Sequence, residues 1–253
     1  VKTSSSTKLG IALISITGFA AFSWPLFFSQ NVLGLTIPTT YYWIFLAVLP
    51  ISFLLLALEI NRGELELSAI ALLGVLSALI AALRQIGAGA VGIEPMWFLI
   101  ILGARAFGAT FGFALGSISM ALSALLTGGI GPWLPFQILA ASWVGLLAGC
   151  LPKNLRGRGE IIALSIYGAL ASLSYGALMD LQLWPWLIGG ETQLSFRPEN
   201  SLQENLSRFI TFHFLTAMAW DIPRAILTAT LIAVTGGAIL RSLRRTLRKV
   251  QFI

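Results

Sequence analysis

The chain has 253 residues, of which 57% are apolar and 10% are Asp, Glu, Lys or Arg. A soluble domain carries about 25% charged residues, so this composition excludes an enzyme with a solvated surface, and equally a disordered chain, which needs low hydrophobicity and high charge. The net charge of +6 does not mark a nucleic-acid partner: seven of the 16 basic residues fall in two clusters, Lys153 with Arg156, and Arg241, Arg244, Arg245 and Arg248 with Lys249, which read as topology markers at helix ends rather than as a basic folded domain.

What remains is an all-α polytopic membrane protein. A spanning helix needs roughly 20 apolar residues. The first run is Leu9–Phe28. Ala21-Phe22-Ser23 gives it a rival reading as a signal peptide, but the run continues past that point, and a retained helix is expected. Tyr41–Leu58 is the second run, entered through aromatic residues that suit an interface. Leu67–Leu83 is the third and ends at Arg84, before a glycine-rich bend over 87–92. Pro95–Gly103 is only half a span, interrupted by Arg105, and Ala106–Thr127 is a full helix. Broken elements at membrane depth need protein or a cavity to cover the freed backbone.

A turn at Gly128–Trp133 leads into Leu134–Leu151, and Lys153, Arg156 and Arg158 precede Ile161–Met179. Asp180–Asn205 is the longest polar segment. The last run extends from about Leu206 to Leu243, longer than one crossing, so Pro223 is expected to kink it or start a new segment, leaving its first part as a loop-side helix. Counting charges puts the N- and C-termini and 12 Lys or Arg residues on the cytoplasmic side of a cell membrane, leaving Arg84, Arg197, Arg208 and Arg224 elsewhere. The bend, the 128–133 turn and the 180–205 loop then share the outer face as a ligand mouth.

Small residues recur every fourth position in three helices: Gly74, Ala78, Ala82; Ala104, Gly108, Gly112, Gly116; and Ala141, Gly145, Gly149. Such stripes let backbones approach. Internal packing is the expectation for the second and third sets, while the first is divided between packing and a partner protein. Charges in apolar stretches are costly. Arg84 and Glu94 flank the glycine bend, and Asp221 and Arg224, three apart, can pair on one helix face. Gln137 and His213 fall near the same level, and Trp97, Trp133, Trp143, Trp184 and Trp186 complete an aromatic set of the kind that lines small-ligand sites. One Cys and one His cannot make a disulfide or a metal site. No P-loop, H-E-x-x-H or G-x-S-x-G motif is present, and no cofactor is expected.

Two stretches, GARAFGATFGFALG with SALLTGGIGPWLPFQILAASWVGLLAG, and FHFLTAMAWDIPRAILTATLIAVTGGAILRSLRRTLR, resemble the substrate-specific S component of energy-coupling factor (ECF) vitamin transporters, in a branch common in actinobacteria. The likeness covers about Leu67–Lys249. It implies a six-helix bundle with a short second helix over 67–253, preceded by two additional helices in 1–66. It also implies a vitamin bound on the outer side, with cobalamin the leading candidate, and partnership with a membrane T component and two ABC-type ATPases.

Carried onto this sequence, the resemblance makes Gly74, Ala78 and Ala82 the coupling face. Trp97, Trp133, Gln137 and Trp186 are the expected ligand contacts, with Arg84, Glu94 and His213 as polar additions. Two rivals stand beside it. A lipid-modifying membrane enzyme would use Asp221, Arg224 and His213, and an assembly protein would bind no ligand.

Overall fold

The computed structural model describes residues 5–27, 67–87, 91–187 and 192–250, and every element among them is an α-helix. In chain order these are α1 (Ser5–Phe27), α2 (Leu67–Ile86), α3 (Trp97–Phe107), α4 (Ala109–Thr127), α5 (Leu134–Cys150), α6 (Gly157–Leu187), α7 (Leu202–Thr216) and α8 (Met218–Val250). Five of them, α1, α2, α4, α6 and α8, are long and apolar enough to cross a membrane, while α3 and α5 are shorter apolar helices. The expected helix at Tyr41–Leu58 lies outside the described residues.

α3 occupies the centre. Its residues from Leu99 to Ala104 are buried, and it touches α2, α4, α5, α6 and α8. Around it the helices pair by shape. α4 and α5 meet through their small-residue stripes: a β-carbon on Gly112 would collide with the Gly145 carbonyl oxygen, one on Gly145 with that of Gly112, and one on Gly116 with that of Ala141. Apolar tails outside a bilayer protein remove the hydrophobic drive between helices, so close backbone packing of this kind supplies the attraction. Ser117 and Ser142 share a 2.6 Å hydroxyl contact across the same interface. α6 and α8 pair likewise, with Ser172 donating to Thr228 at 3.2 Å and Gly168 facing Thr228 and Ile232.

α2 lies against α3 and α4 through Leu73, Leu76, Ser77, Ile80 and Ala81. Its other face leaves Ala71, Gly74, Ala78 and Ala82 exposed, and a β-carbon on Gly74 would meet nothing. α1 packs elsewhere, on α5, α6 and α7. Phe22 is buried against Phe136, with ring centroids 5.0 Å apart, and Trp143 donates its indole N–H to Ser15 at 3.0 Å.

One end of the bundle is tied by a single carboxylate. Glu160, at the start of α6, accepts from Arg105 Nε at 2.6 Å and from Arg244 Nη2 and Nη1 at 2.6 and 3.0 Å. Arg105 also donates to the Leu151 and Pro152 carbonyls at 2.9 and 3.0 Å. The exposed Cys150 closes α5 at this end.

Three element boundaries differ from the sequence reading. Arg105 does not interrupt a helix. It lies in the last turn of α3, because its guanidinium finds Glu160 and the carbonyls of Leu151, Pro152 and Leu155, and the break comes at Gly108, whose φ of 102° favours glycine. α6 runs on through Asp180 to Leu187, so the polar segment starts later than its composition indicates. The last run divides at Ala217, not at Pro223, which falls in the second turn of α8. The first part is a separate helix, α7, opened by a capping box in which Ser201 and Glu204 satisfy each other's backbone N–H groups.

Gly145→Leu should overpack the α4–α5 contact, where the neighbouring atoms are backbone and cannot yield. A loss of at least about 1–3 kcal/mol is expected, visible as a lower melting temperature or failed folding in detergent; an unchanged melting curve would contradict the packing.

Candidate ligand site

The opposite end gathers charge at the start of α8. Arg224 donates from Nη1 to Asp221 Oδ1 at 2.5 Å and from Nε to Glu94 Oε2 at 3.0 Å. Asp221 and Arg224 lie three apart on α8 and so share a face, whereas Glu94 arrives from the segment before α3. Glu94 Oε2 also accepts the indole N–H of Trp97 at 2.8 Å. The Trp97 ring lies against Tyr175, centroids 4.3 Å apart, and the Arg224 guanidinium stands 5.4 Å from the centre of that tyrosine ring, a cation–π distance. Trp97 is 1% exposed, so the cluster is closed on its α3 side.

The chain of contacts continues into α7. His213 Nδ1 makes a 2.7 Å contact with Asp180 Oδ2 on α6, and its Nε2 lies 3.9 Å from Asp221 Oδ2. Space for the Asp221 carboxylate is provided by Gly176, where any β-carbon would collide with it. Glu94, Trp97, Tyr175, Asp180, His213, Asp221 and Arg224 therefore form one connected network drawn from α3, α6, α7, α8 and the bend.

Among the described residues, the buried polar atoms without a hydrogen-bond partner include Gln85 Nε2 on α2, Gln137 Oε1 on α5 and Asp221 Oδ2 on α8. Buried polar atoms in folded proteins are almost always bonded, so each of these three helices carries a buried group with unused hydrogen-bonding capacity.

The other expected residues are distributed as follows. Arg84 lies in the last turn of α2 and donates to Ser123 at 2.9 Å. Trp133 lies in the turn before α5, 41% exposed and folded over Gly131. The side chain of Trp186 lies outside the described residues. Trp143 faces α1, and Trp184 is buried against Phe209 and Phe196, one ring removed from His213 through Phe209.

Tyr175, Asp180 and Gln85 are members of this region that sequence reasoning missed. A signal for one of them was present: Gly168, Ser172, Gly176 and Asp180 recur every fourth residue on α6, a fourth small-residue stripe that faces α8 and ends in the Asp180 carboxylate.

A family model described as "ECF transporter, substrate-specific component" matches residues 68–236, from the start of α2 into α8. The chain belongs to this family. It is the substrate-binding membrane subunit of an ECF transporter, a multi-pass membrane protein that associates with a T component and ATPases and is not an enzyme. The chain matches no curated protein and no solved structure.

In this S component, Arg224→Met removes the one cation that contacts both Glu94 and Asp221. Breaking a buried pair by deleting one partner costs about 3–5 kcal/mol, so the variant should unfold well below the wild type in detergent. Glu94→Gln should be milder, since the Glu94 side chain is 25% exposed and the amide still accepts. Equal melting temperatures for the two variants would contradict the arrangement.

Proposed function

We propose that the Glu94 end of the bundle is the extracellular mouth and that the subunit captures a vitamin or related micronutrient there, with cobalamin the first candidate. The observation that carries this reading is that Gln85, Gln137 and Asp221 each hold a buried polar atom without a hydrogen-bond partner, Asp221 within the network that contains the Trp97–Tyr175 aromatic pair. Ligand sites combine apolar and aromatic walls with a few placed polar groups. Glutamine side chains suit a ligand with a rim of neutral amides, as a corrinoid has, because an amide both donates and accepts.

In this reading the binding unit is 67–253, with 1–66 as an N-terminal addition. The family match beginning at residue 68 supports that division. Both termini are cytoplasmic, which puts the Arg105–Glu160–Arg244 end inside, as the positive-inside rule favours. Arg84, Glu94, Trp97, Gln137 and His213 contribute to the ligand site from the described residues, with Trp133 at its margin, and Asp221–Arg224 is its structural pair; Trp186 stays an expected contact whose side chain lies outside the described residues.

The T component, working with two ABC-type ATPases, docks on the exposed stripe of Gly74, Ala78 and Ala82. The stripe is flat, apolar and left bare by α1, which suits close helix approach.

Two measurements test the reading. Purified protein is analysed by mass spectrometry for a copurifying small molecule and melted against a panel of vitamins. Stabilisation by cobalamin supports the full proposal, stabilisation by another vitamin supports the class and replaces the candidate, and no stabilisation by any vitamin sinks it. Gly74→Leu should abolish cellular uptake of the stabilising vitamin while leaving its binding intact. Loss of both, or of neither, would remove the coupling role from α2.

A further inference from the structure

Residues 192–201 and α7 form a unit with a small core of its own. Trp184, Phe209 and Phe212 make a hydrophobic cluster with Leu194 and Phe196, separate from the main core. The 192–197 segment is pinned to this cluster by the Trp184 indole N–H, which donates to the Leu194 carbonyl at 2.7 Å. The Asn205 side chain bonds both backbone groups of Arg197, donating from Nδ2 to its carbonyl at 2.8 Å and accepting its N–H at Oδ1 at 3.3 Å, and Arg208 donates to the Thr192 carbonyl at 3.1 Å. This cap meets the ligand network through His213, which bonds Asp180.

α1 reaches the same unit from the other side. Along its length it is fastened to α5, through Phe22 against Phe136 and Ser15 to Trp143, and Gly18 is crowded by Leu139. Its last turns touch the cap: the Trp24 ring meets Phe196 edge-on at 5.8 Å, and Leu26 packs on the Trp184 cluster.

We propose that α1 is a brace, anchored to α5, that positions the 192–216 cap beside the Glu94 end and so slows ligand escape. The ligand half of this inference rests on the function proposed above; the brace itself does not. Trp24 and Phe196 act here as positioning residues, holding the cap that carries His213. The additional N-terminal helix thereby serves retention of the ligand, while α2 serves the partner.

The test is hydrogen–deuterium exchange on the full-length protein, with cyanocobalamin dissociation measured alongside. An aromatic contact of this type supports a change of roughly three- to tenfold in local opening. Trp24→Ala should raise exchange in 192–216 by that factor and leave 97–127 at the wild-type rate, and Trp24→Phe should restore protection. Phe196→Ala, made from the cap side, should reproduce the effect, whereas Phe19→Ala on the exposed face of α1 should not. Cyanocobalamin should leave the Trp24→Ala variant faster by a similar factor.

Unchanged exchange in 192–216, or a rise shared equally by 97–127, overturns the brace. Faster cap exchange with unaltered cyanocobalamin release overturns its role in retention. If the wild type does not bind cyanocobalamin, that ligand assignment fails separately, and the exchange comparison still decides the brace.

Discussion

Inside a bilayer a side-chain charge has to be answered by the protein itself, and Arg224 is answered twice, by Asp221 on its own helix and by Glu94 from the segment ahead of α3. The bond to Glu94 fixes the entry into α3 against the start of α8. Through Glu94 it also orients Trp97, whose ring presses on Tyr175 of α6. With Asp221 held by Arg224, its second oxygen is turned toward His213 and the cap. Glu94 and Trp97 thus take their positions from one planar cation, which a lysine could not replace because it lacks the fork that reaches two carboxylates in fixed directions.

The far end repeats the principle with the signs exchanged: one acid, Glu160, between two arginines. Tyr175 stands fifteen residues beyond Glu160 on α6, about 22 Å at the helical rise. Between the two charged ends the bundle is almost wholly apolar or small, and its helices are joined by shape at Gly112–Gly145 and by the α6 stripe against α8. Charge therefore sets which ends belong together, and small residues set how closely the rods lie.

Much of this was visible in the sequence. The long apolar runs gave α1, α2, α4 and α5 nearly to their ends, and the glycine spacing in α4 and α5 pointed to their contact. The failures share a cause. Arg105 and Asp180 look like helix-ending polarity in the sequence, yet each continues a helix, since a tertiary partner satisfies the side chain: Glu160 for one and His213 for the other. Local composition carries no record of partners 55 or 33 residues away. Asp221 and Arg224 could be paired from their spacing, but Glu94, 130 residues from Arg224, could join them only once the fold was known. Trp133 and Trp143 stand outside the hydrogen-bonded network: tryptophan is also an anchor and a packing residue, so presence near the right level does not by itself join one to it.

Cys150, the one cysteine of the chain, closes α5 exposed beside the Glu160 end and away from the Arg224 network. A thiol reagent that cannot cross lipid would meet it from one side of the membrane only. The native protein thus carries its own compass: labelling of sealed, oriented vesicles reports which way the bundle points without a single engineered residue.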